Sequence, residues 1–258
     1  MCKCNLTKRF IYFKGNYLRF FLLDITRGMC VLAMIAYHFC WDLGYFGLID
    51  QRLVTQGSGL FIAQLIGLSF ITIAGISSRL MNLSDSFKQK FLKRFLKLVF
   101  LSAVISTATF MLNRNSFIFF GILHFLSVCS LISLILIYIK SSFYLFLIFL
   151  CAAIISISGI TFNLPLMLSW LGLNREIPTT NDFYPLFPWI TFYFFGFWLG
   201  KIIYRKTDKK NHNFSIPVDE SNIFLKFFEY AGRKALAVYI LHQPILFSLF
   251  FIFIKLTS

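Results

Sequence analysis

Seven apolar runs, each near the length a helix needs to cross a bilayer, leave this chain little freedom over its fold. They lie at about residues 22–41, 60–80, 96–112, 117–139, 143–162, 184–204 and 235–254. The chain is 58% apolar and 14% charged, against roughly 45–50% and 25% for a soluble domain. Its 35 Phe and 11 Tyr are more bulk than a soluble core of this size could hide. A β-barrel needs short alternating segments, and none is visible. The expected class is all-α: a polytopic integral-membrane helical bundle of about seven transmembrane helices. Residues 1–20 form a basic tail and 21–256 a single membrane domain whose first span is an uncleaved anchor.

The formal net charge of +15 does not point to nucleic acid, because the basic residues fall between the apolar runs. With the N-terminus in the cytoplasm, twenty of the 25 Lys and Arg residues lie on the inner side. The positive-inside rule then predicts a cytoplasmic N-terminus and a multi-pass protein of the inner (cytoplasmic) membrane. No internal repeat of the kind common in transporters is evident. Cys2 and Cys4 lie in the tail, while Cys30, Cys40, Cys129 and Cys151 lie in or near apolar runs without zinc spacing. No metal is expected.

Polar residues inside the spans carry the chemistry, since each is costly in hydrocarbon. Arg27 and His38 lie eleven residues apart on the first span, on one helix face and about 16 Å apart along the axis. Asp24 precedes Arg27 by three residues and can pair with it. Asp42 follows His38 by four and can orient its ring. The bland alternatives are an interfacial Arg27 with its charge in the headgroups and a belt aromatic at Trp41. His124 lies on the fourth span at a depth compatible with His38. On the last span, His242 and Gln243 are expected in the inner half, where Pro244 frees a backbone carbonyl. Gly196 and Gly200 on the sixth span, and the small residues of the second, read as close helix packing. Ser77 and Arg79 are weaker site candidates, Arg79 and Arg94 read as topology charges, and His212 sits in a polar loop. Three histidines in apolar spans, with acids and arginines at helix ends, point to an internal polar site able to move protons near neutral pH.

The motifs Leu23-Asp24-x-x-Arg27-Gly28, His38-x-x-Trp41-Asp42-Leu43, Gly121-Ile122-Leu123-His124, Pro185-x-x-Pro188-Trp189, and Gly232-Arg233-x-Ala235-Leu236-x-x-Tyr239-x-x-His242-Gln243-Pro244 occur in that order. Together they resemble the bacterial heparan-α-glucosaminide N-acetyltransferase-like proteins of the transmembrane acyltransferase superfamily, from about Arg19 to Phe250. The resemblance implies acetyl-CoA or another acyl-CoA as donor on the cytoplasmic side, and transfer to a saccharide, here an envelope glycan, on the far side. It also implies a membrane histidine as base or acyl carrier, which maps best onto His38.

The expected site is therefore His38, Asp42 and His124 as catalytic groups and Arg27, Arg233 and Lys234 toward the phosphates of the donor. Trp41, Asp182, Trp189, His242 and Gln243 are expected toward the acceptor. The expected partners are the lipid bilayer, acyl-CoA and the glycan, with a homodimer left open and no nucleic acid. Two other classes stay open at this point: a transporter or flippase for a glycan or lipid-linked substrate, and a structural membrane subunit.

Overall fold

A computed structural model describes residues 10–11, 15–81, 87–136, 142–159, 161–208, 218–219 and 222–257. Cys2, Cys4, Lys140 and His212 lie outside the described residues. The described chain is helical: α1 (Gly15–Tyr45), α2 (Arg52–Thr55), α3 (Gly57–Met81), α4 (Phe87–Leu112), α5 (Ile122–Leu136), α6 (Ser142–Ile157), α7 (Leu186–Asp208), α8 (Ile223–Arg233) and α9 (Ala235–Thr257), with a 3₁₀ turn at Leu166–Leu171. The extended segments comprise a two-residue antiparallel pairing of Phe10–Ile11 (β1) with Val218–Asp219 (β2) and isolated bridges.

Stretches of α1, α3, α4, α7 and α9 are long and apolar enough to cross a membrane, and α5 is a shorter apolar helix. The protein is a multi-pass helical membrane bundle. Large side chains such as Phe100, Met111 and Leu112 stand exposed. That is costly in water but suits lipid, whose tails are as apolar as Leu. Two helices differ from their predicted spans for local reasons. α4 starts at Phe87, ahead of the apolar run, because Lys and Arg are good helix formers and carry the helix out toward the interface. α5 starts at Ile122 rather than near Phe117, because the preceding residues are extended. There the Ile118 amide donates to Thr109 Oγ1 at 3.0 Å and Phe120 bridges Phe183.

The described helices fall into two compact units. One comprises residues 1–70 and 206–258 and the other residues 71–205.

In the first unit, α8 packs along α1. Gly28 and Gly232 mark the closest approach. A Cβ on Gly232 would meet the Asp24 carbonyl oxygen, and one on Gly28 would meet the Phe228 carbonyl oxygen. Only residues without a Cβ allow backbones this near. The chain reverses at Lys234 into α9, which runs parallel to α1. His38 meets His242, Asp42 meets Gln243, and Phe46 meets Phe247 and Phe250. Two parallel spans require an odd number of crossings between them.

In the second unit, α3 and α7 also meet at glycines. A Cβ on Gly75 would strike the Tyr193 carbonyl oxygen, and one on Gly196 the Thr72 carbonyl oxygen. Ile71, Ile190, Tyr193, Phe194 and Phe197 are buried around this contact. The Tyr193 hydroxyl donates to Ser78 Oγ at 2.8 Å, and Arg94 Nη1 donates to the same oxygen at 3.0 Å.

Candidate functional site

The seam between α1 and α9 gathers four polar side chains. The His38 and His242 ring centroids are 4.9 Å apart. Gln243 Nε2 donates to Asp42 Oδ1 at 2.8 Å. Asp42 is fully buried and His242 is 8% exposed, an unusual depth for such groups unless they are paired. The His242 ring is tied to its own helix, with Nδ1 2.7 Å from the Tyr239 carbonyl oxygen.

These groups leave bonds unmade. Among the described residues, eight buried side-chain N or O atoms have no hydrogen-bond partner, and four of them are His38 Nδ1, Asp42 Oδ2, His242 Nε2 and Gln243 Oε1. Buried polar atoms are nearly always paired, and an unmet one costs about 1–3 kcal/mol. Four of the eight thus lie together on one seam.

One sequence expectation changes here. Asp42 does not bond His38 one turn away; its recorded partner is Gln243, 201 positions along the chain. His242 and Gln243, in the first half of α9, lie beside His38 and Asp42. α8 occupies the N-terminal part of α1, so α9 begins part-way along its partner, and the start of its third turn reaches His38.

At the other end of α1, Arg27 Nη1 donates to Asp24 Oδ1 at 2.7 Å. Arg233, in the last turn of α8, lies within electrostatic reach of Asp24 and stands 3.8 Å from Glu229. Arg233 and Lys234 are exposed. Arg27, Arg233 and Lys234 thus belong to the same unit as the seam. Trp41 stacks on Tyr45 at 5.4 Å between centroids.

His124 has a different environment. Its Nδ1 accepts from the Gly121 amide at 3.3 Å, so its Nε2 carries the proton toward Ser106 Oγ at 3.1 Å; that hydroxyl donates onward to the Ile118 carbonyl at 2.7 Å. Both ring nitrogens are used, and the ring holds the entry to α5. Asp182 works beside it: its Oδ2 accepts from the Ile122 amide at 3.2 Å, satisfying a first-turn donor as an N-cap does. Trp189 packs on Tyr184 at 5.0 Å. Arg94 is bonded to Ser78, the Arg79 guanidinium lies 5.6 Å from the centre of the Phe197 ring, and Ser77 Oγ donates to the Ile73 carbonyl. Among the described residues, no three His, Cys, Asp or Glu side chains converge as a metal set.

A family model described as heparan-alpha-glucosaminide N-acetyltransferase, catalytic, matches residues 19–244. The chain belongs to this family. The matched stretch begins just before α1 leaves its basic end and closes on Pro244, one residue past Gln243, so it contains both halves of the seam. Family membership gives the chain a membrane acetyltransferase-like role, and the family implies an acetyl-CoA donor. Comparisons with curated proteins and with solved structures returned no match.

The Asp42–Gln243 bond is what reading the sequence missed. A signal for it existed: polar donors within the spans are few, and Gln243 is one of them.

Proposed function

We propose that this protein is an integral-membrane acyltransferase that moves an acetyl or other acyl group from cytoplasmic acyl-CoA to a saccharide, an envelope glycan, on the far side of the membrane. The observation that carries the reading is the set of four buried polar atoms with unmade bonds on the α1–α9 seam, in a chain of the heparan-alpha-glucosaminide N-acetyltransferase family. Acyl transfer onto a hydroxyl or amine needs a group that takes a proton and returns it, which imidazole does near neutral pH. His38 is the central histidine, as base or acyl carrier. Asp42 and Gln243 hold the seam, and His242 and Trp41 face the acceptor.

The donor enters from the end of α1 that carries Arg27, Arg233 and Lys234. Guanidinium groups pair strongly with phosphate, and Arg233 and Lys234 are exposed to receive it. His124 and Asp182 are left out, since their polar atoms already serve the start of α5. Residues 21–256 act as one membrane domain with seven spans and a cytoplasmic N-terminus in the inner membrane. The parallel course of α1 and α9 supports an odd number of spans.

The test is acetyl transfer by purified protein in nanodiscs, followed as CoA release and acetylated product with acetyl-CoA and a glucosaminide. Wild-type protein transfers, and His38→Ala does not. No transfer by wild-type protein, or an unchanged rate in His38→Ala, rejects the reading. Glycan flux without any acyl donor would mark a transporter instead.

A further inference from the structure

From Ser141 to Asn174 the sequence carries no charged side chain, yet α6 ends at Ile157. Its 16 residues rise about 24 Å at 1.5 Å each, short of the roughly 30 Å of hydrocarbon in a bilayer. Beyond the helix, residues 161–175 close their backbone polar groups on one another. Phe162 donates its amide to the Leu173 carbonyl at 2.9 Å and accepts from the Arg175 amide at 3.1 Å. Asn174 takes both backbone groups of Leu164: its Oδ1 accepts from the amide at 3.3 Å and its Nδ2 donates to the carbonyl at 3.1 Å. Pro165 has no amide hydrogen, and its carbonyl accepts from the Leu168 amide at 2.8 Å. The 3₁₀ turn at Leu166–Leu171 is two-sided. Ser169 is buried and accepts from Asn174 Nδ2 at 2.9 Å, and Trp170 packs on Phe120 at 5.7 Å between centroids. Leu166, Met167 and Leu168 stand exposed.

We infer that residues 161–174 form a lipid-embedded platform in the leaflet at the C-terminal end of α6, with Phe162, Leu166 and Met167 against acyl chains. Three observations select lipid as the partner. First, Leu150, Ile154 and Ile157 repeat at helical spacing as an exposed apolar face of α6, and Phe162 is exposed five residues on, so the lipid-facing surface continues along the chain with no charge to interrupt it. Second, the backbone bonds are internal. Non-helical chain survives at membrane depth only where its polar groups are satisfied, whereas a loop in water needs no side-chain amide to occupy both groups of Leu164. Third, the next charges, Arg175 and Glu176, are exposed and fall where the paired segment ends, as expected where the chain returns to the headgroups, because charge is costly deeper down. The platform thus covers the depth that α6 leaves unspanned, whatever chemistry the seam performs.

The experiment uses the wild-type full chain in phosphatidylcholine nanodiscs, with Met167 as reporter because it is 80% exposed. Separate samples meet two reagents. Periodate, added from water, oxidises methionine to its sulfoxide. A lipid-dissolved diazirine, once illuminated, gives a carbene that inserts into whatever faces the acyl chains. Digestion and mass spectrometry locate both modifications. Met167 is expected to oxidise at least about tenfold more slowly than free methionine in the same solution, since an anion is excluded from hydrocarbon. The peptide holding Phe162, Leu166 and Met167 is expected to carry the carbene. Faster oxidation than that places the platform in water and overturns the inference, whatever the carbene does. Slow oxidation without the carbene label means that a protein surface covers the platform, and overturns the choice of lipid. Asn174→Ala opens both backbone groups of Leu164, and Met167 oxidation is expected to rise several-fold as the turn moves toward water. An unchanged rate overturns the part given to Asn174. Should that variant fail to fold, the wild-type pattern decides.

Discussion

His124 and His242 are both histidines on apolar helices, yet they do opposite things with their nitrogens. In the second unit, His124 spends Nδ1 on the Gly121 amide and Nε2 on Ser106, so the ring is a fastener at the start of a helix. In the first unit, His242 spends only Nδ1, and Nε2 stays unmet in a buried seam beside three other unmet atoms. An intramembrane histidine is therefore not a functional signal by itself.

The largest effect should come from setting the histidines directly against each other. His38→Ala should lower transfer by about 10²–10⁴-fold while leaving thermal stability nearly unchanged. His124→Ala should keep transfer within a few-fold of wild type but cost about 1–3 kcal/mol of stability, because the Gly121 amide and Ser106 lose a partner. Transfer rates and thermal unfolding of the two proteins check this, and the reverse pattern would undo the distinction.

Next comes the seam's own support. Gln243→Leu strips Asp42 of its recorded bond, and a drop of about 1–3 kcal/mol is expected together with lost transfer. Denaturation and rate measured on one preparation show whether the two fall together. Gly232→Ala places a methyl against the Asp24 carbonyl oxygen, and overpacking of this kind costs about 1–3 kcal/mol. Its measure is the folded, monodisperse yield. A variant as stable as wild type would mean that α1 and α8 are less close than described.

The smallest effect belongs to the second unit. Tyr193→Phe removes the hydroxyl that donates to Ser78, and about 1 kcal/mol of stability should go with it. The KM and kcat of transfer should not move. A change in either would show that this buried network reaches the chemistry.

The fold class was legible because hydrocarbon-length runs and basic flanks follow from solvation alone, and each apolar block overlaps one of the longer helices found. Helix starts were less so. α4 begins within the lysines before its apolar run, and α5 begins after an extended stretch whose amide bonds depend on Thr109 and Thr180. The polar residues at the seam were picked out one by one, since each is costly in lipid. Their union was not, because pairing between helices leaves no periodic trace in either. Asp42 could be placed four residues from His38 by counting, and only the packing of α9 on α1 gave it Gln243 instead.

That pairing has a consequence for how the protein is made. Its two ends lie 201 residues apart in the chain, so at about 5–20 residues per second roughly 10–40 s of synthesis separate them. Throughout that interval Asp42 has been inserted and Gln243 has not been translated. The ribosome thus completes the described helices between α1 and α9 before the seam can close, and a chain cut short of Gln243 leaves Asp42 without its recorded partner. The seam is therefore assembled late, as α9 leaves the translocon.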